Sequence, residues 1–234
     1  MKLDQQQTRT RRLKAQLKVS LVLLPPRDPG DKQAERSHTT TTAEGTQTGF
    51  LALRTVPVIL KNGNRAIKVN ALLDEASTKT YINADMASEL GLQGISRKVT
   101  VNVLNGQTET FETMPVDVEL ESLDGSVSKT VSAFTTETVT GNLEAIDWRK
   151  HANKWPHLKG IQFSKPGPQP LVDILIGLVH VDLHYSFKDV KGRPGEPVAR
   201  LTALGWTCVG PSTTQRSGGL QTSFTHTYFF REQQ

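Results

Sequence analysis

The amino-acid sequence predicts an all-β domain. Short alternating apolar runs recur, Asn-Gly or Asp-Gly pairs stand between several of them, and a single helical stretch interrupts the pattern before residue 135. An Asn-Gly pair joins antiparallel strands because both residues accept the positive φ that a two-residue hairpin turn requires. At least six short strands around one helix point to a barrel or sandwich rather than a βαβ array.

Order begins near Phe50. Leu51, Leu53, Val56, Val58 and Leu60 alternate with one slip at Thr55 to Val56, where a bulge or a change of face fits. Lys61-Asn62-Gly63-Asn64 turns the chain, and a return strand from Ala66 to Leu73 delivers Asp74. Asn83 caps a helix over residues 84–90, Gly91 ends it, and Met86 and Leu90, four apart, face the core. A second hairpin runs from Val99 to Leu104, through Asn105-Gly106, and back from Thr108 to Phe111. A third pairs Val116 to Leu120 with Val127 to Phe134 across Asp124-Gly125.

Residues 137–170 lack a period, and Trp148, Trp155, Pro156 and Leu158 are the anchors that pack this segment onto the body. Leu171 to Leu178 is a nearly continuous apolar strand, as expected when both faces are buried. The glycine near its end, Gly177, marks a place where a Cβ would obstruct a close approach. A strand from Val198 to Leu204 and the segment Gly205-Trp206-Thr207-Cys208-Val209-Gly210 complete the pattern.

Composition sets the outer limits. Apolar residues make up 36% of the 234 residues and aromatics 6%, which fits an ordered core with polar tails. The boundaries read as a basic, disordered or linker arm over residues 1–47, a folded domain over 48–210 and a polar extension over 211–234. Residues 1–45 carry nine Lys and Arg against five acids, whereas the remainder carries nineteen against eighteen. A basic groove for nucleic acid across the body is therefore not indicated; the arm reads as a solvated tail, with a weak electrostatic contact to RNA or DNA as the alternative. One cysteine excludes an internal disulfide framework and fits a reducing compartment. The apolar run from Val19 to Leu24 is too short to span a membrane and lacks a cleavage pattern, so a soluble, cytoplasmic protein is expected.

The stretch with chemistry in it is Leu73-Asp74-Glu75-Ala76-Ser77-Thr78. A strand fixes the backbone on which Asp74 sits, and the loop after it leaves the carboxylate free to meet a substrate. The plainer alternative is an Asx-turn, with Asp74 bonding backbone amides. His180 and His184 are four apart, but no third metal ligand is evident and surface or packing histidines are the expectation. Cys208, in an apolar strand beside Trp206, reads as a buried, inert thiol.

Four motifs in order, Leu72-Leu73-Asp74-Glu75-Ala76-Ser77-Thr78, Trp155-Pro156-His157-Leu158-Lys159, Val172-Asp173-Ile174-Leu175-Ile176-Gly177-Leu178 and Arg200-Leu201-Thr202-Ala203-Leu204-Gly205-Trp206-Thr207, resemble the aspartic peptidase domain of BEL/Pao-type retrotransposon polyproteins. The resemblance covers about residues 48–210. It implies a closed acid-protease-like barrel, a single retropepsin-type half with one or two short helices. It also implies that Asp74 is catalytic, that Glu75, Ala76, Ser77, Thr78 and Gly177 support its loop, and that Asn105 and Gly106 tip a flap over a peptide or polyprotein substrate. No metal or cofactor is implied. The sequence has no second Asp-Ser/Thr-Gly triplet, so the resemblance implies a homodimer in which each subunit supplies one Asp74.

The triplet itself departs from the family pattern, being Asp74-Glu75-Ala76 where Asp-Thr/Ser-Gly is usual. Glu75 removes the hydroxyl that braces the two loops across the dimer and adds negative charge beside the dyad, which raises its pKa and favours acidic pH. Ala76 adds a methyl group where glycine offers an amide and a permissive backbone. Two functions are therefore carried forward: an aspartic endopeptidase, and a catalytically inactive protease-like module that acts in polyprotein dimerisation or assembly.

Overall fold

A computed structural model of the protein describes residues 50–102 and 107–212 and the backbone of Phe229–Phe230. The chain enters through β1 (Leu51–Ala52), crosses Leu53 and Arg54, and continues as β2 (Thr55–Asn62). The alternation slips there because the two strands belong to different sheets: β1 pairs with a strand near residue 210, and β2 pairs with β3 (Arg65–Leu73). The β2–β3 turn places Gly63 at φ 56°, as the Asn-Gly signal requires.

Beyond the Asp74 loop come β4 (Tyr81–Asn83) and α1 (Ala84–Leu90). The Asn83 side chain accepts the amide hydrogens of Asp85 and Met86 at 2.8 and 3.3 Å, and Gly91 ends the helix at φ 70°. Leu90 is buried and Met86 packs against the same core. The second hairpin is β5 (Arg97–Asn102) with β6 (Thr108–Thr113), and the third is β7 (Pro115–Ser122) with β8 (Ser128–Thr136). Asn105 and Gly106, expected at a flap tip, lie outside the described residues, as does the basic arm over 1–47.

After an irregular arm the chain forms β9 (Ile174–Ile176), the one-turn helix α2 (Val181–His184), and strands β10 (Ser186–Lys191), β11 (Val198–Thr202) and β12 (Gly205–Pro211). A last short strand, β13 (Phe229–Phe230), pairs with β5. Six strands close a barrel in the order β2-β3-β9-β4-β8-β7. Its interior is filled from alternate positions by Val58, Leu60, Ala71, Ile82, Leu120, Val131 and Ile174, all buried. No helix among the described residues is long and apolar enough to cross a membrane.

A separate four-stranded sheet, β1-β12-β11-β10, carries a second core. Trp148, Trp155, Leu158 and Phe163 of the arm pack on Ala52, Ala199 and Cys208 of that sheet, so the expected aromatic anchors do hold the arm. Burial pushes the Cys208 thiol up to about 12, which makes it inert at physiological pH. His157 bonds the carbonyl of Pro197 at 2.8 Å and tightens the same contact.

Asn70 on β3 fastens the far end of the arm to the barrel. Fully buried, its side-chain amide donates to the carbonyls of Gln169 (2.7 Å) and Leu171 (3.1 Å), and its oxygen accepts the Gly167 amide hydrogen (2.7 Å). Replacing it with leucine, of similar size, strands these backbone groups. Asn70→Leu is expected to cost about 3 kcal/mol, read from the urea-unfolding midpoint. A loss below about 1 kcal/mol would mean that the arm is held by its apolar anchors alone.

Candidate active site

Strand β9 lies between the strand that enters the Asp74 loop and the strand that leaves it. It runs parallel to β3, with Leu73 opposite Ile176, and antiparallel to β4, with Tyr81 opposite Leu175. The loop is thereby pinned at its ends. The Asp74 amide donates to the Ile176 carbonyl (3.0 Å), the Gly177 amide donates to the Thr80 hydroxyl (3.2 Å), and the Leu178 amide donates to the Ser77 carbonyl (2.8 Å). Gly177 is where side-chain absence matters: a Cβ there would lie 2.8 Å from the Ser77 carbonyl oxygen and against the Lys79 carbonyl.

Within the loop Asp74 is partly exposed, while Ser77 and Thr80 are buried. The Asp74 Oδ1 accepts the amide hydrogen of Ala76 at 2.9 Å. This is the Asx-turn geometry, and it also supplies the backbone amide expected to be lost with the glycine. Ala76 provides it despite its methyl group. The Ser77 hydroxyl is directed inward and donates to the Lys79 carbonyl at 2.7 Å, so it serves its own loop. Thr78 is exposed.

Glu75 does not direct its charge at the neighbouring aspartate. Its carboxylate pairs with the guanidinium of Arg54, which also donates to the His184 carbonyl at 3.1 Å. The negative charge expected to bear on Asp74 is met by a cation one side chain away. Burial lowers the Arg54 pKa, with Glu75 acting in the opposite direction. His184 sits behind the same loop, its Nε2 at 3.3 Å from the Gly177 carbonyl. His180 and His184 are both buried packing residues, and no cluster of three metal-ligating side chains occurs among the described residues.

The expected residues Asp74, Glu75, Ala76, Ser77 and Gly177 are thus brought together, and Arg54, Thr80 and His184 join them. Arg54 carries one local signal, as a lone cation in the apolar run Leu51-Ala52-Leu53-Arg54-Thr55-Val56. A cavity of about 250 Å³ lies elsewhere, between β6 (Glu109, Phe111), Tyr81 and the end of β8 with the residues after it (Thr136 to Val139). Asp74, partly exposed, does not line it.

Two outcomes follow from this geometry. Gly177→Ala is expected to lower stability by about 3 kcal/mol in urea unfolding, because the carbonyls it would meet are fixed by the loop's own bonds; a midpoint within error of wild type would show that the loop yields. Burial holds the His180 and His184 imidazoles below their ordinary 6.5, helped by Lys129 at the first and Arg54 at the second. Below about pH 6.5 the unfolded chain then binds more protons than the folded one, so stability is retained above that pH and falls as the pH drops. His184→Gln should flatten the fall in urea midpoint between neutral pH and about pH 5, and an unchanged slope would exclude His184 as a contributor.

No family model matches the chain, no curated protein matches it, and no solved structure matches it.

Proposed function

We propose that the chain supplies one half of a retropepsin-like aspartic peptidase site and acts as an endopeptidase of a retrotransposon polyprotein when two copies meet at Asp74. The observation that carries this reading is the threading of β9, closed by Gly177, between the strands on either side of an acid-bearing loop. That arrangement holds a carboxylate rigidly at a barrel edge, where a second copy can bring its own. Among the described residues, five of the eight exposed large apolar side chains fall between Leu178 and Phe187: Leu178, Val179, Val181, Tyr185 and Phe187. Leu178 bonds directly to the loop, and Tyr185 follows His184, whose carbonyl is held by Arg54. An apolar face beside the loop suits the close approach of a second copy.

The chemistry follows from two like charges at close quarters. Both Asp74 carboxyls cannot ionise together, so the pair holds one proton and titrates jointly. The ionised member takes a proton from a bound water as the water oxygen attacks the peptide carbonyl carbon. The protonated member donates its hydrogen bond to the carbonyl oxygen, which gains the negative charge. Collapse breaks the C–N bond, a carboxyl proton passes to the leaving amine, and no covalent enzyme intermediate forms. The peptide would lie extended along the β5–β6 hairpin as an added strand.

A second reading, an inactive protease-like module acting in polyprotein dimerisation or assembly, is favoured by Glu75 and by the Asx-turn at Asp74. The two separate in a cleavage assay on a peptide library from acidic to neutral pH. The endopeptidase reading expects cleavage whose rate rises more steeply than linearly with protein concentration, inhibition by a hydroxyl-bearing transition-state mimic, and a loss of about a thousandfold or more in Asp74→Asn. A dimer that cleaves nothing, or an Asp74→Asn variant that cleaves as fast as wild type, would sink it.

A further inference from the structure

Arg54 touches the loop on both sides of the acid. Its backbone carbonyl accepts the amide hydrogen of Leu73, the residue before Asp74, at 2.9 Å. Its guanidinium pairs with the carboxylate of Glu75, the residue after, and donates to the His184 carbonyl. The Arg54 side chain is only 8% exposed, which sets it apart from a solvated surface cation with a chance partner. A guanidinium so poorly hydrated depends on fixed partners in place of water, here the Glu75 carboxylate and the His184 carbonyl, while its Nε has no hydrogen-bond partner among the described residues. Arg suits the task because its planar fork can serve a carboxylate and a carbonyl together, which an ammonium cannot do as well.

Resting on the reading of Asp74 as a catalytic carboxylate, we propose that Arg54 is its positioning residue, and that the Arg54–Glu75 pair braces the loop within one subunit. The brace stands where a hydroxyl after the aspartate would otherwise brace the loops across the dimer. Glu75 is then one member of a matched pair, and the departure at the second triplet position is compensated by a cation two strands earlier in the sheet path. Arg54 touches neither substrate nor reacting atoms; it acts through Leu73 and Glu75. Removing one member leaves the other charge without its partner, so either single change should disturb the loop as much as both together.

The test measures hydrogen exchange of the backbone amides over residues 74–80 in the full chain, for wild type, Arg54→Gln, Glu75→Gln and the double variant, alongside kcat and KM for peptide cleavage. Each single change is expected to speed loop exchange by about tenfold or more, the double by no more than the larger single effect, and β7 and β8 not at all. Arg54→Lys should recover part of the protection. Cleavage should lose kcat with KM little altered. Loop exchange that ignores Glu75→Gln, or single effects that add in the double variant, overturns the proposal. Should Arg54→Gln fail to fold, Glu75→Gln, at an exposed side chain, decides the matter by itself. Loosened loops in a chain whose wild type cleaves nothing sustain the brace and overturn the peptidase reading; cleavage with exchange indifferent to both substitutions overturns the brace alone.

Discussion

Three hydrogen bonds, two between backbones and one from the Gly177 amide to the Thr80 hydroxyl, join the segment 176–178 to the loop between Asp74 and Thr80, and all three require Gly177 to pass where no side chain fits. The partners are about a hundred residues apart in sequence; for the Gly177–Thr80 bond the separation is 97. The orientation of Asp74 is therefore not a local property of the hairpin that carries it. Until β9 docks between β3 and β4 the barrel is open and the acid has no fixed direction. Closing such long-range contacts costs chain entropy before any contact repays it, so barrel closure and site formation are one event in folding.

Charge is handled within the same small space. Asp74 and Glu75 are adjacent acids, and two unopposed carboxylates would resist ionising together. The geometry separates them by purpose. Glu75 turns back to Arg54, whose guanidinium has His184 as its other neighbour, while Asp74 keeps one oxygen on the Ala76 amide. The loop thus carries its extra charge internally and leaves Asp74 partly exposed at the surface. Burial, together with the charge of Arg54, lowers the His184 pKa, so the imidazole beside that guanidinium takes up a proton less readily than a free one.

Features governed by neighbours along the chain are legible in the amino-acid sequence itself. The three hairpins, the Asn83 cap, the Gly91 stop, the doubly buried β9 and the crowding at Gly177 all follow from turn chemistry, capping and apolar runs, which act over a few residues. The rest is decided by partners far away. The slip near Thr55 reads as a bulge or a change of face because periodicity records where the facing side changes but not a change of sheet. Arg54 stands out locally only as a lone cation in an apolar run, and its role is not legible there because its meaning lies in Glu75, across the β2–β3 pair. Strand β10 is mostly exposed and carries Ser186, Lys188, Asp189 and Lys191, so it lacks an apolar period to announce it. The i, i+4 histidines have the spacing of a helical metal pair, yet α2 is a single turn that begins after His180, and both imidazoles are packed into the body. Ser77 offers a hydroxyl to a partner by its residue type alone; burial turns it to Lys79.

The arm over residues 137–173 explains how so delicate a crossing can be reached at all. It separates β8 from β9, and a flexible connection of that length would let β9 search widely before finding its slot. Trp148, Trp155 and Leu158 fasten its middle to the second sheet, and Asn70 fastens its end to β3, immediately before the strand enters its register with β9. Each attachment shortens the free chain that remains, so the last step of closure is made by a few residues and not by the whole arm. The second core thereby contributes to where the acid points.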